Sequence, residues 1–157
     1  MKITFLNIGK NNDKEIQKLI ERYVSRISHY VKFEQKILPD VRQSKSLSTE
    51  KQKEIEGKSI LNVIGEGCFV VLLDERGKQY TSRGFAEMIE RHLIRGTRDL
   101  VFVVGGPYGF SEQVYDRADD MLSLSKMTLT HEMVRLFFTE QVYRAFTIIK
   151  GENYHHD

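Results

Sequence analysis

Two short stretches of this chain carry no polar side chain: Cys68-Phe69-Val70-Val71-Leu72-Leu73 and Leu100-Val101-Phe102-Val103-Val104. A half-wet strand alternates apolar and polar residues, whereas a strand that is apolar throughout is covered on both faces. Helices supply that cover, and parallel strands need a crossover between them, so these two runs point to a sheet layered with helices.

The rest of the chain provides those helices in alternation with further strands. Residues 2 to 8 read as a first strand, and Gly9 to Asn12 as a turn. Asn12 and Glu15 make a capping box for a helix whose apolar face is Ile16, Leu19, Ile20, Tyr23, Val24 and Ile27. Val31 to Leu38 is a second strand, stopped by Pro39-Asp40, and Val41 to Thr49 is a polar loop. Ser48 caps a helix running to about Asn62, whose sparse apolar residues (Ile55, Ile60, Leu61) predict a mostly solvated face. The Cys68 run is the third strand, and Asp74 to Lys78 reads as a turn.

Ser82 caps the next helix, with Phe85, Met88, Ile89, His92 and Leu93 on its inner face and an end near Gly96. The fourth strand, Leu100 to Val104, runs into Gly105-Gly106-Pro107-Tyr108-Gly109. A short helix from Ser111, a strand-like piece at Met121 to Leu124 and a long helix from about His131 to Ile149 complete the chain. The order predicts a single α/β domain over residues 1 to 157, with a mainly parallel sheet and helices on both faces. A chain of 157 residues buries one sizeable core.

Lys and Arg number 24 against 22 for Asp and Glu. The resulting +2 permits a nucleic-acid partner without demanding one. The single cysteine, Cys68, has no disulfide partner within the chain and reads as a small buried hydrophobe in a reducing compartment. Met1-Lys2-Ile3-Thr4 leads straight into a strand without a secretory pattern, and no stretch reaches membrane-spanning length, so the expectation is a cytoplasmic protein with no membrane contact. Apart from the adjacent His155 and His156, no Cys or His pair has ligand spacing, and no metal is expected.

In an open parallel sheet, ligands bind beyond the carboxyl ends of the strands. The candidate loops therefore follow Leu73, Val104 and Leu124. Gly105 to Gly109 is either a loop that lets backbone approach a ligand or a tight strand-to-helix turn. It is neither a dinucleotide fingerprint nor a Walker loop, since no Gly-Lys-Ser or Gly-Lys-Thr follows. Leu124-Ser125-Lys126-Met127-Thr128-Leu129 leads into the long helix, with Thr128 or Thr130 as its cap. On that helix Arg135 and Arg144 either pair with Glu132 and Glu140 or contact phosphate. The tail Gly151 to Asp157 is either frayed or a source of a stacking ring, Tyr154, and two imidazoles, His155 and His156.

Several motifs occur together in a fixed order: Val103-Val104-Gly105-Gly106-Pro107-Tyr108-Gly109, Leu122-Ser123-Leu124-Ser125-Lys126-Met127-Thr128, His131, Met133-Val134-Arg135, Glu140-Gln141-Val142-Tyr143-Arg144-Ala145 and terminal Tyr154-His155. In this arrangement the chain resembles the RlmH (YbeA-like) family of SPOUT-class methyltransferases over essentially its whole length, most strongly over residues 100 to 156. Asp157, past the paired histidines, departs from the basic or histidine-rich end expected of the family.

The resemblance implies a SPOUT fold with a C-terminal trefoil knot and a homodimer formed through the knotted region. It implies S-adenosyl-L-methionine held by Leu73, Gly105 and Leu124, Ser125, Lys126, Met127, Thr128 and Leu129. The implied substrate is a pseudouridine in a hairpin loop of 23S ribosomal RNA, methylated at N3 on the assembled ribosome. Tyr154, His155 and Arg144 are the implied catalytic group, and His131, Arg135 and Arg144 the RNA contacts, with Lys10 and Lys126 as further candidates for phosphate. A different RNA target and a non-catalytic ribosome-binding factor are the rival readings.

Overall fold

Five strands, β1 (Lys2–Ile8), β2 (Lys32–Leu38), β3 (Phe69–Gln79), β4 (Asp99–Val104) and β5 (Asp120–Ser123), form one sheet in the order β2-β1-β4-β3-β5 in the computed structural model of the chain. Every pairing among them is parallel, as the apolar runs require. The structure describes residues 1–41 and 47–156. Most of the polar loop expected over Val41 to Thr49, and Asp157, lie outside the described residues.

The helices are α1 (Lys14–Ile27), α2 (Thr49–Val63), α3 (Ser82–Ile94), α4 (Glu112–Arg117) and α5 (His131–Ile149). They divide between the two faces of the sheet. On one face Ile3, Phe5, Leu100 and Phe102 pack against Ile27 of α1, Phe85 and Ile89 of α3, and Phe138, Val142 and Phe146 of α5. On the other, Leu6, Val70, Leu72, Val101 and Val103 pack against Ile60 of α2 and Val114 of α4. Phe138 anchors the first layer: its ring centroid lies 4.5 Å from Phe5 and 4.8 Å from Phe102, and all three side chains are fully buried. Truncating a ring at such a site costs about 3–5 kcal/mol.

Local chemistry moves two helix starts by a residue. Asp13, not Asn12, caps α1, because its carboxylate accepts from Glu15 N at 2.8 Å and Ile16 N at 3.1 Å. Asn12 and Asp13 in turn donate their backbone N–H groups to Glu132 of α5. Thr81, not Ser82, caps α3 through a 3.1 Å bond from Gly84 N, while Ser82 Oγ donates to Gln141. Ser48 and Thr130 cap α2 and α5.

Two larger expectations are corrected. Strand β3 does not stop at Leu73 but continues to Gln79 across an irregularity, so that Leu122 of β5 is in register with both Leu73 and Lys78. Asp74 to Lys78 is therefore a bow within a strand, and its polarity had disguised it as a turn. The inner face of α2 is not solvated: Gln52, Glu56, Gly57 and Ile60 are buried. Cys68 is only half-buried, at the entry to β3. Among the described residues, no helix is long and apolar enough to cross a membrane.

Candidate functional site

The bow of β3 and the carboxyl ends of β4 and β5 open into a cleft of about 620 Å³. All eight residues expected at the cofactor line it: Leu73 at the start of the β3 bow, Gly105 after β4, and Leu124 through Leu129 after β5. His131 and Val134 from the first turns of α5 close one end.

The 124–129 segment holds its own shape. Ser123 Oγ donates to Ser125 O at 3.2 Å, Ser125 Oγ accepts from Met127 N at 2.9 Å, and Thr130 Oγ1 accepts from Met133 N at 3.3 Å. These hydroxyls are engaged in turning the chain. His131, exposed at the lip, has its imidazole pKa lowered by crowding of the ring and by the neighbouring Arg135 charge, so it is neutral at pH 7.

One wall was not legible in the sequence. Tyr115 donates to Asp74 Oδ2 at 2.6 Å, Arg76 Nε donates to Asp74 Oδ1 at 3.2 Å, and the Arg76 guanidinium lies 4.3 Å from the centre of the Tyr115 ring. All three residues line the cleft. Burial alone raises the pKa of Asp74, but the bonds from Tyr115 and Arg76 outweigh it and hold the carboxyl below its ordinary value. Burial and then Asp74 push Tyr115 up, so the phenol keeps its proton. No spacing rule links Asp74 to Tyr115; only the fold brings them together.

The expected catalytic group forms a second cluster, at the far end of α5. Glu140 Oε1 accepts from Arg144 Nε at 3.1 Å, from Arg144 Nη2, and from Tyr154 Oη at 3.0 Å. The Arg144 guanidinium lies 4.7 Å from the centre of the Tyr154 ring, and its Nη1 is 3.3 Å from His155 Nδ1. Arginine only donates, so Nδ1 accepts and the His155 proton sits on Nε2. Burial, then Tyr23 and the Glu140 charge, raise the Tyr154 pKa, making the phenol a donor at neutral pH. Sequence reading offered Glu140 only as one possible ion-pair partner; here it is the hub.

None of Arg144, Tyr154 and His155 lines the cleft of its own chain. Arg144 lies thirteen positions past His131, about 20 Å along the axis of α5. Arg135 also departs from expectation. It is 3 % exposed, and its guanidinium donates to Asn11 Oδ1 at 2.7 Å and to Ile8 O. It braces the end of β1 from within.

A fully parallel sheet with helices on both faces, and a cleft at its carboxyl edge, is the architecture of an α/β protein that takes a ligand beyond its strand ends. The family described as Predicted SPOUT methyltransferase matches residues 1–155. The chain belongs to this SPOUT methyltransferase family. Relatives named Ribosomal RNA large subunit methyltransferase H match it from end to end: one from Christiangramia forsetii is 54% identical over 99% of both chains, one from Porphyromonas gingivalis 50% over 100% of both, and one from Flavobacterium johnsoniae 49% over 99% of both. Among solved structures, a probable methylase family protein from Haemophilus influenzae Rd KW20 shares the fold, with a TM-score of 0.54 at 12% identity over 95% of this chain and 66% of that one.

Proposed function

We propose that this chain transfers a methyl group from S-adenosyl-L-methionine to N3 of a pseudouridine in a hairpin loop of 23S ribosomal RNA, on the assembled ribosome in the cytoplasm. The observation that carries the reading is the cleft: Leu73, Gly105 and Leu124 through Leu129 converge on one space, which is large enough for a nucleoside-sized ligand. The names of the relatives supply the substrate class, large-subunit ribosomal RNA.

Bound there, S-adenosyl-L-methionine supplies an electrophilic methyl group. The chain's own residues act on the other reactant. N3 of pseudouridine lies between two carbonyls and carries a proton that must leave before nitrogen can attack. Arg144 and the Nε2–H of His155 are donors suited to those carbonyl oxygens, where negative charge grows as the proton departs. With its Nδ1 engaged by Arg144, His155 serves here as an orienting donor. Tyr154, bonded to Glu140, holds the Arg144 head in place.

The distance between tail and cleft supports a homodimer in which the tail of one subunit serves the cleft of the other. Met133 and Phe137 of α5 and Met127 beside the cleft are exposed and would form the contact. A C-terminal trefoil knot belongs to the same reading.

The test is transfer of labelled methyl from S-adenosyl-L-methionine to ribosomes lacking the modification, with wild type beside Tyr154→Ala and His155→Ala, followed by mapping of the nucleotide. Label on the pseudouridine, lost in both variants, is the expected result. Absence of label with wild-type protein that binds S-adenosyl-L-methionine would overturn the substrate assignment.

A further inference from the structure

Helix α2 buries a carboxylate that the chemistry above leaves unused. Glu56 is 3 % exposed, and its Oε1 accepts from the equally buried Gln52 Nε2 at 3.0 Å. Burial pushes its pKa up. Its other oxygen lies against the glycine loop: a Cβ added at Gly106 would sit 2.3 Å from Glu56 Oε2. The next residue of the helix repeats the arrangement in reverse, since a Cβ added at Gly57 would sit 2.3 Å from Ser111 Oγ. Ser111 Oγ is itself buried, with no hydrogen-bond partner among the described residues. Helix and loop therefore interlock at two adjacent points, each pairing a glycine on one side with a polar side chain on the other.

Among the described residues this carboxylate has a single amide partner, a costly way to bury it, and an apolar side chain would pack this layer at lower cost. The opposite surface of the same loop, Gly105 and Gly106, lines the cleft. We propose that Glu56 is a positioning residue for the cofactor: its carboxylate, seated beneath Gly106, fixes the path of the glycine loop so that backbone groups of Gly105 and Gly106 face the ligand. The cofactor identity rests on the function proposed above; the seating of the loop does not.

The experiment measures S-adenosylhomocysteine binding by calorimetry, and hydrogen exchange across residues 104–110 in cofactor-free protein. The proteins are wild type, Glu56→Gln, Glu56→Ala, Gly106→Ala and the Glu56→Ala/Gly106→Ala double variant. Glu56→Gln, which keeps the shape, stays within about twofold of wild type, while Glu56→Ala binds about tenfold more weakly and exchanges faster across the loop. Gly106→Ala loses about thirtyfold, and the double variant binds about as well as Glu56→Ala alone, because the added methyl enters the space the carboxylate leaves. Losses that simply add in the double variant, or unchanged loop exchange in Glu56→Ala, overturn the inference. If Glu56→Ala does not fold, equally weak binding by Glu56→Gln and Gly106→Ala overturns it as well. Failure of the wild type to bind S-adenosylhomocysteine overturns the cofactor reading instead, and the exchange data then decide the role of Glu56.

Discussion

Tyr30 and Glu152 are 122 positions apart in sequence, yet the Tyr30 hydroxyl donates to Glu152 Oε2 at 2.7 Å. The Tyr30 ring also stacks on Phe146, with centroids 5.7 Å apart and planes 13° from parallel. Since Glu152 N bonds to Thr147 O at 2.9 Å, this contact fixes the turn from which Tyr154 and His155 emerge. Tyr30→Phe keeps the stack and loses the bond. The expected cost is about 0.5–1 kcal/mol, a fall in Tm of roughly 1–4 °C by calorimetry. Methyl transfer should fall further than S-adenosylhomocysteine binding does.

The same pair gives a pH signature. The hydrogen bond to Glu152, then burial and the Glu152 charge, push the Tyr30 pKa up to about 12. The folded state thus holds a proton that the unfolded chain releases near pH 10. Stability from this bond is complete below pH 10 and lost as pH rises to about 12. Denaturation of wild type and Tyr30→Phe across pH 8 to 12 should give curves that converge at the alkaline end; a constant gap would refute the assignment.

Arg135→Leu is expected to destabilise by about 2–3 kcal/mol, because Ile8 O and Asn11 Oδ1 each lose a buried charged donor. Ribosome affinity of the folded fraction, and its dependence on salt, should not change. A reduced salt slope would restore Arg135 to the RNA surface.

Glu140→Gln removes the charge that gathers Arg144 and Tyr154. Turnover should drop about 30- to 100-fold with cofactor affinity intact, in keeping with loss of a preorganised donor set. An equal fall in cofactor affinity would show that the two clusters are not separate.

Mixing subunits tests whether the tail is shared. His155→Ala disables the tail, and Gly105→Val disables the cleft, where even a Cβ would meet the Phe110 ring at 3.0 Å. Each variant alone should be inactive, while an equimolar mixture that exchanges subunits should recover about one quarter of wild-type activity if tails serve partner clefts. No recovery would assign each tail to its own chain.

Apart from the far end of β3, which runs six residues beyond its apolar stretch, helices and strands announced by periodicity or uniform apolarity lie within a residue or two of expectation, because burial of those faces dominates their energy. The loops that line the cleft were legible through resemblance and strand order together. Polar residues whose partners are remote were not. Arg135 reads as a cation until Ile8, 127 positions away, is seen to receive it. Asp74 reads as a turn residue until Tyr115 is placed against it, and Glu56 reads as solvated until Gly106 lies over it. Their roles depend on distant pairing, which carries no local period.

The sheet ends at β2 on one side and at β5 on the other. The first margin alternates charges, Lys32, Glu34 and Lys36, with Lys36 Nζ 3.9 Å from Glu34 and Lys2 Nζ 3.5 Å from the same carboxylate. The second is only four residues long. Neither offers a flat, apolar template to a stray extended segment, so the protein is guarded against fibrillar growth by strand addition. Self-association is left to helices and loops, which can close a pair and then stop.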